Sequence, residues 1–190
     1  MKEKETTNNE IERRFTVETV ELRADGDSRL VEGYAAVFER WSGDLGGFKE
    51  IISRGAFEGV VQDSDVLALL NHNQDRGLLA RSQRGKGTLT LTVDEKGLKY
   101  SFEAPHSVVG DELLEGIRRG DITASSFAFT VESETWENDY KERRINKVRA
   151  LYDVSPVYRP AYPSTSVALS KRDARKSLDA YYQQLKDKIK

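Results

Sequence analysis

From Phe15 to Ala161 the chain is dominated by short runs of alternating or β-branched residues, separated by Gly, Asp and Asn. This pattern predicts strands over Phe15–Leu22, Leu30–Phe38, Val66–Leu70, Thr88–Val93, Lys99–Glu103, Ile122–Glu132 and Ile145–Val157. The stretch from Val93 to Leu98 has the composition of a hairpin turn, and Gly85-Lys86-Gly87 that of a turn between strands. Two helices interrupt the pattern. One is short, from Gly55 to Val61. The other, Asp111 to Arg119, puts Leu113, Leu114 and Ile117 on one face, carries acids early and arginines late, and stops at Gly120. Many short strands with few helices predict a mainly β, α+β fold, a barrel or sandwich rather than a doubly wound sheet.

The ends read differently. Met1 to Glu12 has almost no apolar content, which predicts a disordered arm over residues 1–14 ahead of a domain spanning 15–169. Pro156, Pro160 and Pro163 mark the closing edge of that domain. The charged tail, 170–190, is expected to be an exposed amphipathic helix with Leu178, Tyr181, Tyr182 and Leu185 on one face.

Composition narrows the function classes. A chain of 190 residues suffices for one domain with a real core. Its 30 basic and 32 acidic residues nearly cancel, which argues against nucleic acid as a partner. The absence of cysteine excludes disulfides, thiolate metal sites and a cysteine nucleophile, and fits a reducing cytosol. No apolar run reaches the length of a membrane span, and no apolar segment follows the charged N-terminus as in a secretory signal. The expectation is a cytosolic domain without membrane partners.

There are only 2 histidines, His72 and His106, so the search for a general base near neutral pH is short. His72 follows the apolar strand ending at Leu70 and opens the polar loop Asn71-His72-Asn73-Gln74-Asp75, a place where rigid scaffolds hold catalytic groups. A loop histidine without a role fits the same local signal. His106, after Pro105, reads as a helix-entry residue. Ser125 and Ser126 lie in the predicted strand from Ile122. By alternation Ser125 shares a face with Phe127, Phe129 and Val131, whereas Ser126 shares the other with Ala124 and Ala128. If one serine is a nucleophile, strand geometry selects Ser126; two ordinary sheet serines fit as well. Asp153 interrupts an apolar strand and is the candidate for the group that orients an imidazole, although an edge-strand acid facing solvent has the same pattern. Neither the histidine spacing nor any Gly-rich loop forms a metal or phosphate motif, so no cofactor is expected.

Taken in order, several segments resemble the prohead (capsid maturation) serine protease family of tailed bacteriophages and prophages. They are Gly33-Tyr34-Ala35-Ala36-Val37-Phe38, Glu50-Ile51-Ile52-Ser53-Arg54-Gly55-Ala56-Phe57, and the strand from Val66 through Asn71-His72-Asn73. Ile117-Arg118-Arg119-Gly120-Asp121-Ile122 with Ser126-Phe127-Ala128-Phe129 follows, and then Asp153-Val154-Ser155-Pro156-Val157 with Pro160-Ala161-Tyr162-Pro163. The resemblance implies an antiparallel β-barrel of the herpesvirus assemblin type, often a homodimer, with His72, Ser126 and Asp153 as a catalytic triad. It also implies an endopeptidase inside an assembling procapsid in the host bacterial cytoplasm. Its substrates there would be the capsid precursor, the scaffold protein and itself. Two positions depart from the family pattern: Asp153 stands where glutamate is usual, and Ala128 replaces a glycine. A catalytically impaired, protease-like assembly or scaffold factor is the rival expectation, and a β-barrel binding module a third.

Overall fold

The computed structural model describes residues 4–5, 10–16 and 28–158. In chain order the strands are β1 (Lys4–Glu5), β2 (Glu12–Phe15), β3 (Leu30–Val37), β4 (Lys49–Ile52) and β5 (Asp65–Ala68), the last preceded by the single-turn helix α1 (Val60–Asp63). Next come β6 (Ala80–Gln83), β7 (Lys86–Gly87), β8 (Leu89–Val93), β9 (Gly97–Glu103) and helix α2 (Val108–Arg119). Two long strands, β10 (Ile122–Glu137) and β11 (Glu142–Tyr158), complete the fold. The larger sheet runs β1-β10-β11-β5-β6-β7, with β2 also on β10 and β4 also on β11; the smaller runs β3-β9-β8. Among the described residues the fold is thus mainly β with two α-helices, and no pairing closes either sheet into the expected barrel. No helix is long and apolar enough to cross a membrane, again among the described residues.

β10 and β11 pair antiparallel from Ile122↔Tyr158 to Glu137↔Glu142 and form the spine of the larger sheet. One face of this ribbon supplies the core. Phe127 and Phe129 stack on each other at 4.7 Å, and Phe127 meets Phe57 edge-on at 5.8 Å. Val31, Leu98, Tyr100 and Phe102 of the smaller sheet close over them, with Leu113 and Leu114 of α2. The α2 helix begins at Ser107, whose hydroxyl caps the Gly110 N–H, and ends at Gly120 in the left-handed conformation. Its first turn seats against Pro105 so closely that a Cβ on Gly110 would lie 2.1 Å from the Pro105 carbonyl oxygen.

Several elements depart from the sequence expectation for identifiable reasons. No helix forms from Gly55 to Val61, because Gly55 and Gly59 adopt φ of 83° and 77° and break the right-handed path; only α1 remains. Both long strands run past their expected ends because polar residues that would mark a surface are paired across the ribbon. Within the expected arm of residues 1–14, Lys4–Glu5 and the strand Glu12–Phe15 pair with β10. Residues 17–22, the greater part of the first predicted strand, and the 170–190 helix lie outside the described residues.

A buried ion cluster holds the distal half of the ribbon. Glu50 of β4 accepts both Arg14 Nε at 2.9 Å and Arg14 Nη2 at 2.8 Å, and also Arg143 Nη1 at 2.9 Å. Arg143 donates in addition to Glu134 at 2.6 Å and to Glu12. Removing one partner of such a cluster strands the others without solvent. Arg143→Ala should therefore cost about 3 kcal/mol or more in urea-induced unfolding. Burial alone would push the Glu12 carboxyl up, but the hydrogen bond from Arg143 and the charges of Arg14 and Arg143 outweigh it and hold the group below its ordinary 4.5. A carboxyl depressed in the folded state contributes stability above its unfolded pKa and loses it as pH falls through the folded value. Thermal melts should consequently drop on acidification below about pH 4.5, and Glu12→Gln should flatten that dependence.

Candidate active site

Three side chains selected from the sequence meet on the face of the ribbon away from the aromatic core. His72 Nε2 lies 2.5 Å from Ser126 Oγ, and His72 Nδ1 lies 2.6 Å from Asp153 Oδ1. The line is therefore Ser126 hydroxyl, imidazole, carboxylate, with one ring nitrogen facing each neighbour.

Each member is placed by a different local device. Ser126 is fixed by register: it stands opposite Ser155 on β11 and opposite Phe15 on β2. Strand alternation turns its neighbour Ser125 to the other face, where the Ser125 hydroxyl and the Tyr100 hydroxyl lie 2.7 Å apart in the core. Burial raises the Tyr100 phenol well above its ordinary range, and the bond to Ser125 only partly offsets this.

Asp153 depends on a β-bulge. Ala128 pairs with Asp153, but the next pair is Phe129 with Leu151, which leaves Tyr152 without a counterpart. Leu151 stays in the core at 1% exposure while Tyr152 turns out at 38%. The extra residue changes the phase of alternation, so that Asp153 and Ser155 both point toward His72. The Asp153 carboxylate thus reaches His72 Nδ1 at hydrogen-bond distance.

His72 comes from a turn rather than a strand. After β5, the Asn73 N–H donates to the Leu70 carbonyl at 3.1 Å, closing a four-residue turn around Asn71 and His72. Both central residues have positive φ, 54° and 57°, as in a type I′ turn. Asn and His tolerate this region better than most residues, yet neither is glycine, so the turn carries strain that the flanking contacts must hold. The Asn71 N–H donates to the Pro156 carbonyl at 2.9 Å, and Leu69, Leu70 and Leu79 are buried at the base of the loop. The turn thereby carries the imidazole back across β11. Phe15 packs edge-on against the ring, centroids 6.2 Å apart.

The centre is enclosed. Ser126 and Ser155 have no exposed surface, and the His72 side chain is 10% exposed. His106 sits apart as the exposed residue before the α2 cap, as a helix-entry role requires. Arg119 pairs with Asp121 at 3.1 Å at the end of α2. Two neighbours of these three side chains were assigned no role from the sequence: Phe15, and Ser155, whose hydroxyl donates to Asp153 Oδ1 at 2.9 Å. Two-residue spacing from Asp153 was the available clue to Ser155, since residues i and i+2 of a strand share a face. Among the described residues no cluster of His, Asp and Glu is arranged to hold a metal ion.

The fold is similar to that of the bacteriophage T4 capsid assembly protease gp21, with 15% sequence identity, 80% of this chain and 100% of that chain covered, and a TM-score of 0.48. No curated protein sequence matches the chain. Residues 15–180 match the family model of the caudovirus prohead serine proteases, and the chain belongs to that family.

Proposed function

We propose that the chain is a serine endopeptidase that acts during phage prohead maturation, with Ser126 as nucleophile, His72 as general base and Asp153 as the orienting acid. Its substrates are the scaffold protein or scaffold-like part of the capsid precursor, and the protease itself, inside the assembling procapsid in the host cytoplasm. The observation that carries this reading is the unbroken line from Ser126 Oγ through both nitrogens of His72 to Asp153. Membership of the prohead serine protease family supports it.

In this mechanism His72 Nε2 takes the Ser126 proton as Oγ attacks the scissile carbonyl carbon. The tetrahedral intermediate collapses with cleavage of the C–N bond, and the leaving amine receives that proton from Nε2. Water, deprotonated by the same nitrogen, then attacks the acyl-serine ester, releasing the second peptide and restoring the Ser126 hydroxyl. Asp153 keeps the proton of the resting imidazole on Nδ1 and stabilises the imidazolium in both halves.

The rival, an assembly factor without chemistry, makes the opposite forecast for one substitution. Ser126→Ala should abolish precursor processing on co-expression with the capsid precursor, read by mass spectrometry of the capsid N-terminus, while the fold persists. Normal processing by that variant would remove Ser126 as nucleophile. Ser125→Ala should still process. It should nevertheless unfold about 1–3 kcal/mol more easily, because it leaves the buried Tyr100 hydroxyl without its partner. Asp153→Asn should lower the processing rate by about 10³–10⁴, the scale of losing the tautomer-fixing acid in a triad.

A further inference from the structure

Ser155 is a hydroxyl at a position with no exposed surface, between Val154, which lies in the core, and Pro156. A buried hydroxyl is costly unless it is hydrogen-bonded, so its partners indicate its purpose. It stands directly across the ribbon from Ser126. Its proton goes to Asp153 Oδ1 at 2.9 Å, and its oxygen lies 3.3 Å from His72 Nδ1. Asp153 Oδ1 thus faces two donors, the Ser155 O–H and the His72 Nδ1–H.

We propose that Ser155 is a positioning residue of the catalytic centre, fixing the Asp153 carboxylate and, through it, the tautomer of His72. The proposal rests on the triad reading of His72, Ser126 and Asp153. The bulge at Tyr152 sets where the Asp153 side chain starts, but the torsion that orients a carboxyl plane is broad and only loosely set by rotamer preference. A hydroxyl two residues along the same strand face supplies the missing constraint. The direction of its proton matters too. Donating to the carboxylate leaves Ser155 with only lone pairs toward Nδ1. Both groups around that nitrogen then act as acceptors, which favours the tautomer protonated on Nδ1 and leaves Nε2 free for the Ser126 proton. Were the Ser155 proton turned toward the ring, it would favour the opposite tautomer and disarm the base.

A side chain that merely fills space between the strands would leave these properties unmoved. The test uses the full chain and a fluorophosphonate probe, with saturable labelling of Ser126 followed by intact mass and resolved into KI and kinact. Ser155→Ala should lower kinact roughly tenfold, the scale of one hydrogen bond to a charged group, with KI within about twofold. On an Asp153→Asn background the same substitution should add less than about a twofold loss, because Ser155 acts through the carboxylate. The low-field proton resonance of His72 Nδ1–H, present in the parent chain, should weaken or disappear in Ser155→Ala. Ser155→Cys, near in shape but a weak donor, should reproduce the loss and serves as the reading if the alanine variant does not fold. Parent-level kinact in the Ala or Cys variant overturns the proposal, as does a full tenfold loss persisting on the Asp153→Asn background. Continued labelling and processing by Ser126→Ala would instead overturn the triad reading. Parent-level labelling by Ser155→Ala beside an inert Ser126→Ala would remove the positioning role alone.

Discussion

The antiparallel register of β10 on β11 is the constraint on which the rest of the molecule depends. It sets Ser126 opposite Ser155 and Ala128 opposite Asp153, while the alternate positions Phe127 and Phe129 face the core. A slip of one residue would exchange these faces, burying the polar row against Tyr100 and Phe102 and exposing two stacked phenylalanines. Hydrophobic burial of Phe127, Phe129, Leu151 and Val154 therefore enforces the same register that aligns the polar groups. Core and candidate site are two faces of one strand pairing. The bulge at Tyr152 adjusts that pairing where strict alternation would have aimed the acid inward.

The ion cluster solves a different problem. Beyond Val131 the ribbon has few apolar residues, yet β4 still docks there, and Arg14 of β2 reaches across to it. Arg14, Glu50, Glu134 and Arg143 are each less than 10% exposed, so charge pairing replaces an apolar core in this half. Buried ion pairs add little net stability because desolvation offsets their attraction. What they supply here is complementarity between specific edges, since Glu50 of β4 satisfies one arginine from β2 and another from β11. Anchoring β2 in this way also places Phe15 beside the His72 ring.

Much of this was legible in the sequence because it follows from local periodicity. Alternation separates Ser125 from Ser126, and capping chemistry together with an apolar stripe marks α2, although the helix starts three residues earlier, at Val108. The six-residue stretch from Val93 forms the expected turn between β8 and β9, where the Asp94 carboxylate accepts the Lys96 and Gly97 N–H groups. What was not legible depends on partners distant in the chain. The strand Glu12–Phe15 looks like solvated arm because Arg14 and Glu12, besides pairing with each other, find their remaining partners in Glu50 and Arg143, far along the sequence. β4 was visible as part of a motif but not as a strand, because four residues are too few to show a period. Gly55 and Gly59 decide against the first helix through backbone angles that composition alone does not reveal.

The same division between local and distant determinants explains how the candidate site is built. Ser126, Asp153 and Ser155 all project from strands in the middle of a paired sheet, where the backbone has little freedom. His72 alone is delivered by a turn, and that turn holds two successive non-glycine residues in the left-handed region. Such a conformation persists only where surrounding contacts overdetermine it. Here those contacts lead back to the strands the ring must reach: Leu69 N–H donates to Val154 O and Asn71 N–H to Pro156 O, on either side of Ser155. The imidazole is therefore indexed to the backbone of β11 rather than to the loop that carries it. A base anchored in this way keeps its distance to both Asp153 and Ser126 as long as the β10–β11 register holds, and that register is set by the aromatic core on the opposite face.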